Sequence, residues 1–222
     1  MGSIIALTNS KGGVGKSTVA VHLAAWCHER GRRTALVDAD AQGASSLWLQ
    51  EAEPAIPISR LQTPDEILDQ VPRLAAQFDT LVIDGPAGLS EVTRAVLLVA
   101  HLALLPCGPS VLDLRALHEA IRVVEQAQRI RSGPPQAVLV LNKLQVQYRL
   151  TQELLATAPG LGVAVLGGLR LRQAFADAAG QGTLVWRLGL RGAAATEEIT
   201  RLFEELNIHE SEANHESGVA LS

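Results

Sequence analysis

The sequence predicts an α/β domain: a mostly parallel sheet covered by helices on both faces. Three observations carry this. Short, continuous apolar runs alternate with longer segments of helical period along nearly the whole chain. Hydrophobic residues make up 47 % but aromatics only 3 %, so the core is built from Leu, Val, Ile and Ala, as in buried parallel strands. Several apolar runs also end on a polar residue. Thr8, Asp38, Asp84 and Asn142 thereby fall at the carboxyl ends of strands, where such sheets bind their ligands.

The elements follow in order. "SIIALT" (Ser3–Thr8) reads as a strand, and Ser17–Arg30 as a helix with Val19, Leu23, Ala24 and Cys27 along one face. "TALV" (Thr34–Val37) is a second strand, Ile56–Leu61 a short one, and Pro64–Gln77 a helix with Ile67, Leu68, Val71 and Leu74 inward. "TLVI" (Thr80–Ile83) is a strand, Glu91–Ala100 a helix, and Leu102–Leu105 a strand stopped by Pro106. Val111–Ile130 reads as a long helix and "AVLVL" (Ala137–Leu141) as a buried strand. Gln147–Ala158, Leu171–Ala179 and Thr196–Leu206 read as helices, and Val163–Leu166 as a strand. The remainder, "NIHESEANHESGVALS", is polar, acidic and aperiodic, the composition of a disordered tail. The expected organisation is one domain over residues 1–206 and a tail over 207–222.

A chain of 222 residues suits one domain. Two cysteines, Cys27 and Cys107, are too few for a disulfide framework, and a reducing cytoplasm is expected. Neither a secretory signal nor an apolar run long enough to span a bilayer is expected. Net charge is −4 overall but uneven: residues 129–201 carry +5, between segments of −4 (1–128) and −5 (202–222). A basic segment flanked by acidic ones is a possible electrostatic footprint, or an unevenly charged solvated surface.

The chemistry concentrates in "NSKGGVGKST" (Asn9–Thr18). The ordinary phosphate-binding loop is G-x-x-x-x-G-K-[ST]; here Ser10 stands at the first glycine and Lys11 is an additional cation. Gly12, Gly13, Val14 and Gly15 let successive backbone N–H groups face a phosphate, and the following helix aims its positive end at the same anion. Lys16 is expected to reach the β- and γ-phosphates, Ser17 to give its hydroxyl to Mg²⁺, and Thr18 to contact the α-phosphate. Asp84 ends "TLVID", where a carboxylate can hold Mg²⁺ through water. "VDADAQG" places Asp38 and Asp40 two apart, so both can serve the metal and the attacking water.

"KGGVGKST", "VDADAQG" and "VIDGPAG" resemble the deviant Walker A, Walker A′ and Walker B motifs of the ParA/MinD ATPases. "LPCGPSVLDLRAL" and "LVLNK" also sit where that family has them, and the resemblance spans roughly residues 3–206. It implies a P-loop ATPase using ATP and Mg²⁺, with Ser17, Asp38 and Asp84 around the metal. It also implies an ATP-sandwich homodimer in which Lys11 crosses to the partner's phosphates, as an arginine finger does in trans. Asp40 looks like the residue that positions the attacking water and Asp38 lies toward the metal, a division left open. Gly85, Pro86, Ala87 and Gly88 resemble the γ-phosphate switch, although the family often has a proline where Ala87 stands. Asn142 looks like the adenine reader, its amide able to donate and accept, with Lys143 over the base.

Among such ATPases, the small ParA type is the expected match: it binds DNA non-specifically with ATP bound and positions a cargo. That cargo could be a plasmid, a chromosome or a protein body such as a microcompartment, with an adaptor stimulating hydrolysis. A cytoplasmic protein that associates with the nucleoid is then expected. Arg149, Arg170, Arg172, Arg187, Arg191 and Arg201 are the candidate DNA contacts. The first alternative is a MinD-like membrane cycler, disfavoured by an acidic end that anionic lipid would repel. The second is a metabolic or metal-cluster relative, disfavoured by the lack of C-x-x-C.

Overall fold

The computed structural model describes residues 2–145 and 147–219, with side chains described for 2–145 and 147–206. A seven-stranded sheet contains β1 (Ser3–Asn9), β2 (Thr34–Asp38), β3 (Ile58–Arg60), β4 (Thr80–Ala87), β5 (Leu102–Cys107), β6 (Gln136–Leu141) and β7 (Ala164–Leu166). Its order is β3-β2-β4-β1-β5-β6-β7, and every pairing is parallel. The helices are α1 (Lys16–Glu29), α2 (Ala44–Ala52), α3 (Pro64–Ala75), α4 (Glu91–Val99), α5 (Val111–Arg131), α6 (Arg149–Thr157), α7 (Gln173–Gly180) and α8 (Ala193–Val219).

Successive strand residues point to opposite faces, which divides the core. Ile5, Leu7, Leu36, Val82, Leu104 and Val140 pack under α1, α2, α7 and α8. On the other face, Ile4, Ala6, Val37 and Ile83 meet α3 and α4, while Ala103, Leu105 and Leu139 meet α5 and α6. Both faces are covered, as continuous apolar strands require. Helix α1 is buried nearly all round from Val19 to Cys27, so the one-sided face expected for it is too narrow. It is sandwiched between the sheet and the α2 and α8 layer.

Other differences have local causes. Helix α2 is not signalled in the sequence because it has no side-chain cap; it begins after Gly43, at φ 66°. Strand β4 continues past Asp84 through Gly85 and Pro86 to Ala87, beyond the apolar run, because β1 pairs along it as far as Asn9 opposite Ala87. Helix α8 runs Ala193–Val219; its backbone is helical from 207 to 219, where an irregular tail was expected. Residues 220–222 lie outside the described residues.

Candidate nucleotide site

The phosphate loop leaves β1 at Asn9 and enters α1 at Lys16, and side chains from neighbouring strands hold it. Asn9, fully buried, donates through Nδ2 to the Pro106 carbonyl (2.7 Å) and accepts at Oδ1 from the Lys11 N–H (2.9 Å). From the end of β6, Asn142 donates through Nδ2 to the Val14 carbonyl (2.7 Å), and the Lys143 ammonium donates to the Gly13 carbonyl (2.6 Å). Gly15 sits at φ 96°, and a Cβ there would lie 2.2 Å from Asn142 Nδ2. Glycine is thus required both by the backbone and by the close approach of the amide.

Lys16 is buried, and burial lowers its pKa against the pull of Asp84 and Asp40. Asp84 lies on β4, and Asp40 lies two residues past the end of the adjacent β2. Asp38 and Asp84 are register partners. Asp38 accepts from the Asp40 N–H (3.1 Å), the Ser46 N–H (2.9 Å) and the Ser46 hydroxyl (2.6 Å). It fastens the start of α2 to β2. Neither oxygen of Asp84 has a hydrogen bond of acceptable geometry, although the carboxyl is buried. Burial pushes it up to about 6, against the nearby hydroxyls of Ser17 and Ser45 and the charge of Lys16. The hydroxyls of Thr8 and Ser45 are also buried without partners.

Buried oxygen donors without partners beside a phosphate loop fit a hard cation such as Mg²⁺, which takes one or two carboxylates and completes its shell with water and phosphate oxygens. Among the described residues no group of three or more His, Cys, Asp or Glu forms a cage for a metal. Asp40 is only half buried; its Oδ1 caps the Gln42 N–H (3.0 Å), and a carboxylate so placed remains accessible to water.

Lys11 pairs with Asp113 Oδ1 at 2.7 Å. Behind the loop, a cavity of about 240 Å³ is lined by Gly15, Thr18, Asn142, Lys143, Arg170 and Phe175, among others. Asn142 borders it, and its amide is already committed to Val14 and to the Lys143 N–H (2.8 Å).

Most of the six candidate DNA arginines are engaged within the chain. Arg172 grips Glu198 with two bonds (3.0 and 2.6 Å), and Arg170 lies 3.6 Å from the same carboxylate. Arg187 bridges Glu29 (2.8 Å) and Glu53 (2.5 Å), while Arg149 and Arg201 pair one helical turn away with Glu153 and Glu197. The Arg191 guanidinium has no hydrogen bond or ion pair among the described residues. Asn9, Ser45, Asp113 and Phe175 were not singled out in the sequence. A strand-end Asn one residue before the loop is the signal that could have found Asn9; the others depend on long-range packing.

Among the described residues no helix is long and apolar enough to cross a membrane. The family described as CobQ/CobB/MinD/ParA nucleotide binding domain matches residues 5–185. The chain is 34% identical over 210 residues to the Maintenance of carboxysome distribution protein A of Halothiobacillus neapolitanus, covering 91% of this chain and 95% of that one. It is 30% identical to the chromosome partitioning protein ParA of Myxococcus xanthus, covering 56% and 59%. Its fold is similar to that of apo McdA from Cyanothece (TM-score 0.76, 14% identity, covering 93% and 100%). It is also similar to that of the septum site-determining protein MinD from Pyrococcus horikoshii, in complex with Mg-ADP (TM-score 0.73, 20% identity, covering 96% and 99%).

Proposed function

The chain belongs to the CobQ/CobB/MinD/ParA nucleotide-binding family, and from that premise we propose that it is a ParA-type ATPase. In this reading it dimerises on ATP, binds DNA without sequence preference in that state, and positions a cargo. The observation that carries the nucleotide chemistry is Asp84: a buried carboxylate without a hydrogen bond of acceptable geometry, beside Lys16 at the head of a phosphate loop. The relative from Halothiobacillus, matched along nearly its whole length, favours a carboxysome-like protein body as the cargo, with an adaptor linking the two.

Backbone N–H groups of residues 12–17 cradle the phosphates. Lys16 neutralises the β- and γ-phosphates, a role suited to an ammonium already stripped of water. Ser17 and Asp84 would hold Mg²⁺, which would supply positive charge against the charge that develops on the phosphates. Asp40 accepts a hydrogen bond from the attacking water and orients it, whereas Asp38, with both oxygens occupied, organises the loop carrying Asp40. Lys11 of one protomer crosses to the triphosphate of the other. The domain proper is residues 1–206.

The test is hydrolysis and oligomeric state of two variants. Lys11→Ala weakens ATP-driven dimerisation and turnover. Asp40→Ala binds ATP but accumulates as a dimer that does not turn over. Wild-type dimerisation and turnover by Lys11→Ala would remove the trans lysine, and undiminished turnover by Asp40→Ala would remove the assignment of the water.

A further inference from the structure

Two adjacent serines at the head of α2 have different surroundings. The Ser46 N–H and hydroxyl both donate to Asp38 Oδ2 (2.9 and 2.6 Å). Ser45 is fully buried, yet its hydroxyl has no hydrogen bond of acceptable geometry among the described residues. A serine inside a helix can return its hydroxyl to a carbonyl of the preceding turn, and a buried hydroxyl left unpaired is costly. Packing does not account for a serine at 45, where an alanine would leave no hydroxyl to satisfy.

Position does account for it. Asp38 and Asp84 are register partners on β2 and β4, so the hold of Ser46 on Asp38 brings the preceding residue beside Asp84. The Ser45 hydroxyl lies near the Asp84 carboxyl, whose two oxygens are likewise buried without a hydrogen bond of acceptable geometry. One donor thus sits beside two acceptors, all withdrawn from bulk water.

From this arrangement we propose that Ser45 is a positioning residue of the metal site: its hydroxyl donates to one oxygen of Asp84 and leaves the other facing the cation. The proposal rests on the reading that Ser17 and Asp84 hold Mg²⁺. A carboxylate with no other partner can turn about its own bond, and a hydrogen bond to one oxygen removes that freedom. Partners of this kind, one step behind a metal ligand, carry roughly 10–100-fold in metal affinity. Ser45 also sits on the helix whose start holds the Asp40 loop. The Gly43 N–H donates to the Asp40 carbonyl (3.0 Å), and Asp38 accepts from the Asp40 N–H (3.1 Å). A bond from Ser45 to Asp84 therefore ties the metal site to the segment that carries Asp40. Ser45 acts through Asp84.

Calorimetry of ADP binding, in EDTA and over a Mg²⁺ series, tests this without turnover. Ser45→Ala is expected to bind ADP like wild type in EDTA and to need roughly ten-fold more Mg²⁺ for the same gain in affinity. It should keep or raise the thermal midpoint of the nucleotide-free protein. With Mn²⁺ in place of Mg²⁺, the paramagnetic resonance spectrum of the ADP complex is expected to differ between variant and wild type. If Ser45→Ala keeps the wild-type Mg²⁺ requirement and spectrum while Asp84→Asn loses the Mg²⁺ effect, the proposal is overturned and the reading of Asp84 stands. If Ser45→Ala lowers the midpoint and weakens ADP binding equally with and without Mg²⁺, the serine serves packing and the proposal is overturned. If Mg²⁺ does not change the ADP affinity of wild type, or Asp84→Asn responds to it like wild type, the metal reading itself falls, and the proposal with it.

Discussion

Asp38 and Asp84 are register partners at the carboxyl ends of β2 and β4, yet their carboxylates have opposite surroundings: the Asp38 oxygens are occupied by α2 and its loop, and those of Asp84 by nothing of acceptable geometry. The chain thus builds one carboxylate into its structure and leaves the other without a hydrogen bond of acceptable geometry.

Buried and ionised, Asp84 destabilises the fold. Burial raises Asp84 from 3.8 to about 6, so its contribution is present below pH 3.8 and is lost as pH rises through 6. At neutral pH the ionised group costs on the order of 2–3 kcal/mol. Asp84→Asn is expected to raise the thermal midpoint of the nucleotide-free protein while abolishing the further stabilisation by Mg-ATP. Thermal unfolding with and without Mg-ATP measures both effects.

His22 works in the opposite direction. It is fully buried in α1; its Nδ1 meets the Thr18 carbonyl (2.7 Å), and its Nε2 accepts from the Val185 N–H (3.2 Å). The ring is therefore neutral, and burial lowers its pKa to about 4. Its contribution is present above pH 6.5 and is lost as pH falls through 4, on the order of 3 kcal/mol. Between pH 6 and 4, His22 and Asp84 partly cancel in the wild type. In Asp84→Asn the loss from His22 is unopposed, so stability should fall more steeply over that interval. Urea midpoints at pH 7, 5.5 and 4.5 check this.

Asn142 braces the phosphate loop as well as bordering the cavity behind it. Asn142→Ala leaves the Val14 carbonyl without its donor, and nucleotide affinity is expected to fall roughly ten-fold. Calorimetry with both ATP and tripolyphosphate separates the two roles. Bracing requires a loss for both ligands, and base reading a loss for ATP alone.

The sheet and the phosphate loop were legible because both are written in local chemistry. Apolar runs ending on Asp38, Asp84 and Asn142 marked the strand ends, and the glycines at 13 and 15 marked a backbone that needs positive φ. Helix α2 escaped because its start is a left-handed glycine without a side-chain cap. The pairing of Lys11 with Asp113 was illegible for a different reason. Ser110 three residues before Asp113 has the spacing of a helix cap, which it is, and nothing local brings Asp113 to the loop. The arginine-rich segment showed charge, but not the carboxylates of α1, α6 and α8, and Glu53 just past α2, that engage it.

That engagement divides the arginines by outcome. Arg187→Ala removes a bridge to Glu29 and Glu53 and a bond to the Ala52 carbonyl (2.5 Å), so it is expected to destabilise the fold by about 1–3 kcal/mol. Arg191→Ala breaks no side-chain hydrogen bond or ion pair among the described residues; it should leave stability nearly unchanged, weaken DNA binding and reduce the salt slope by about 1. Denaturant midpoints and DNA titrations at two salt concentrations distinguish them.

Binding of a non-specific duplex at low and moderate salt, with ADP, ATP or no nucleotide, tests the central claim most directly. The account predicts tight, salt-sensitive binding with ATP alone. Equal binding in all three states, or none in any, would contradict it and leave the ATPase without its proposed track.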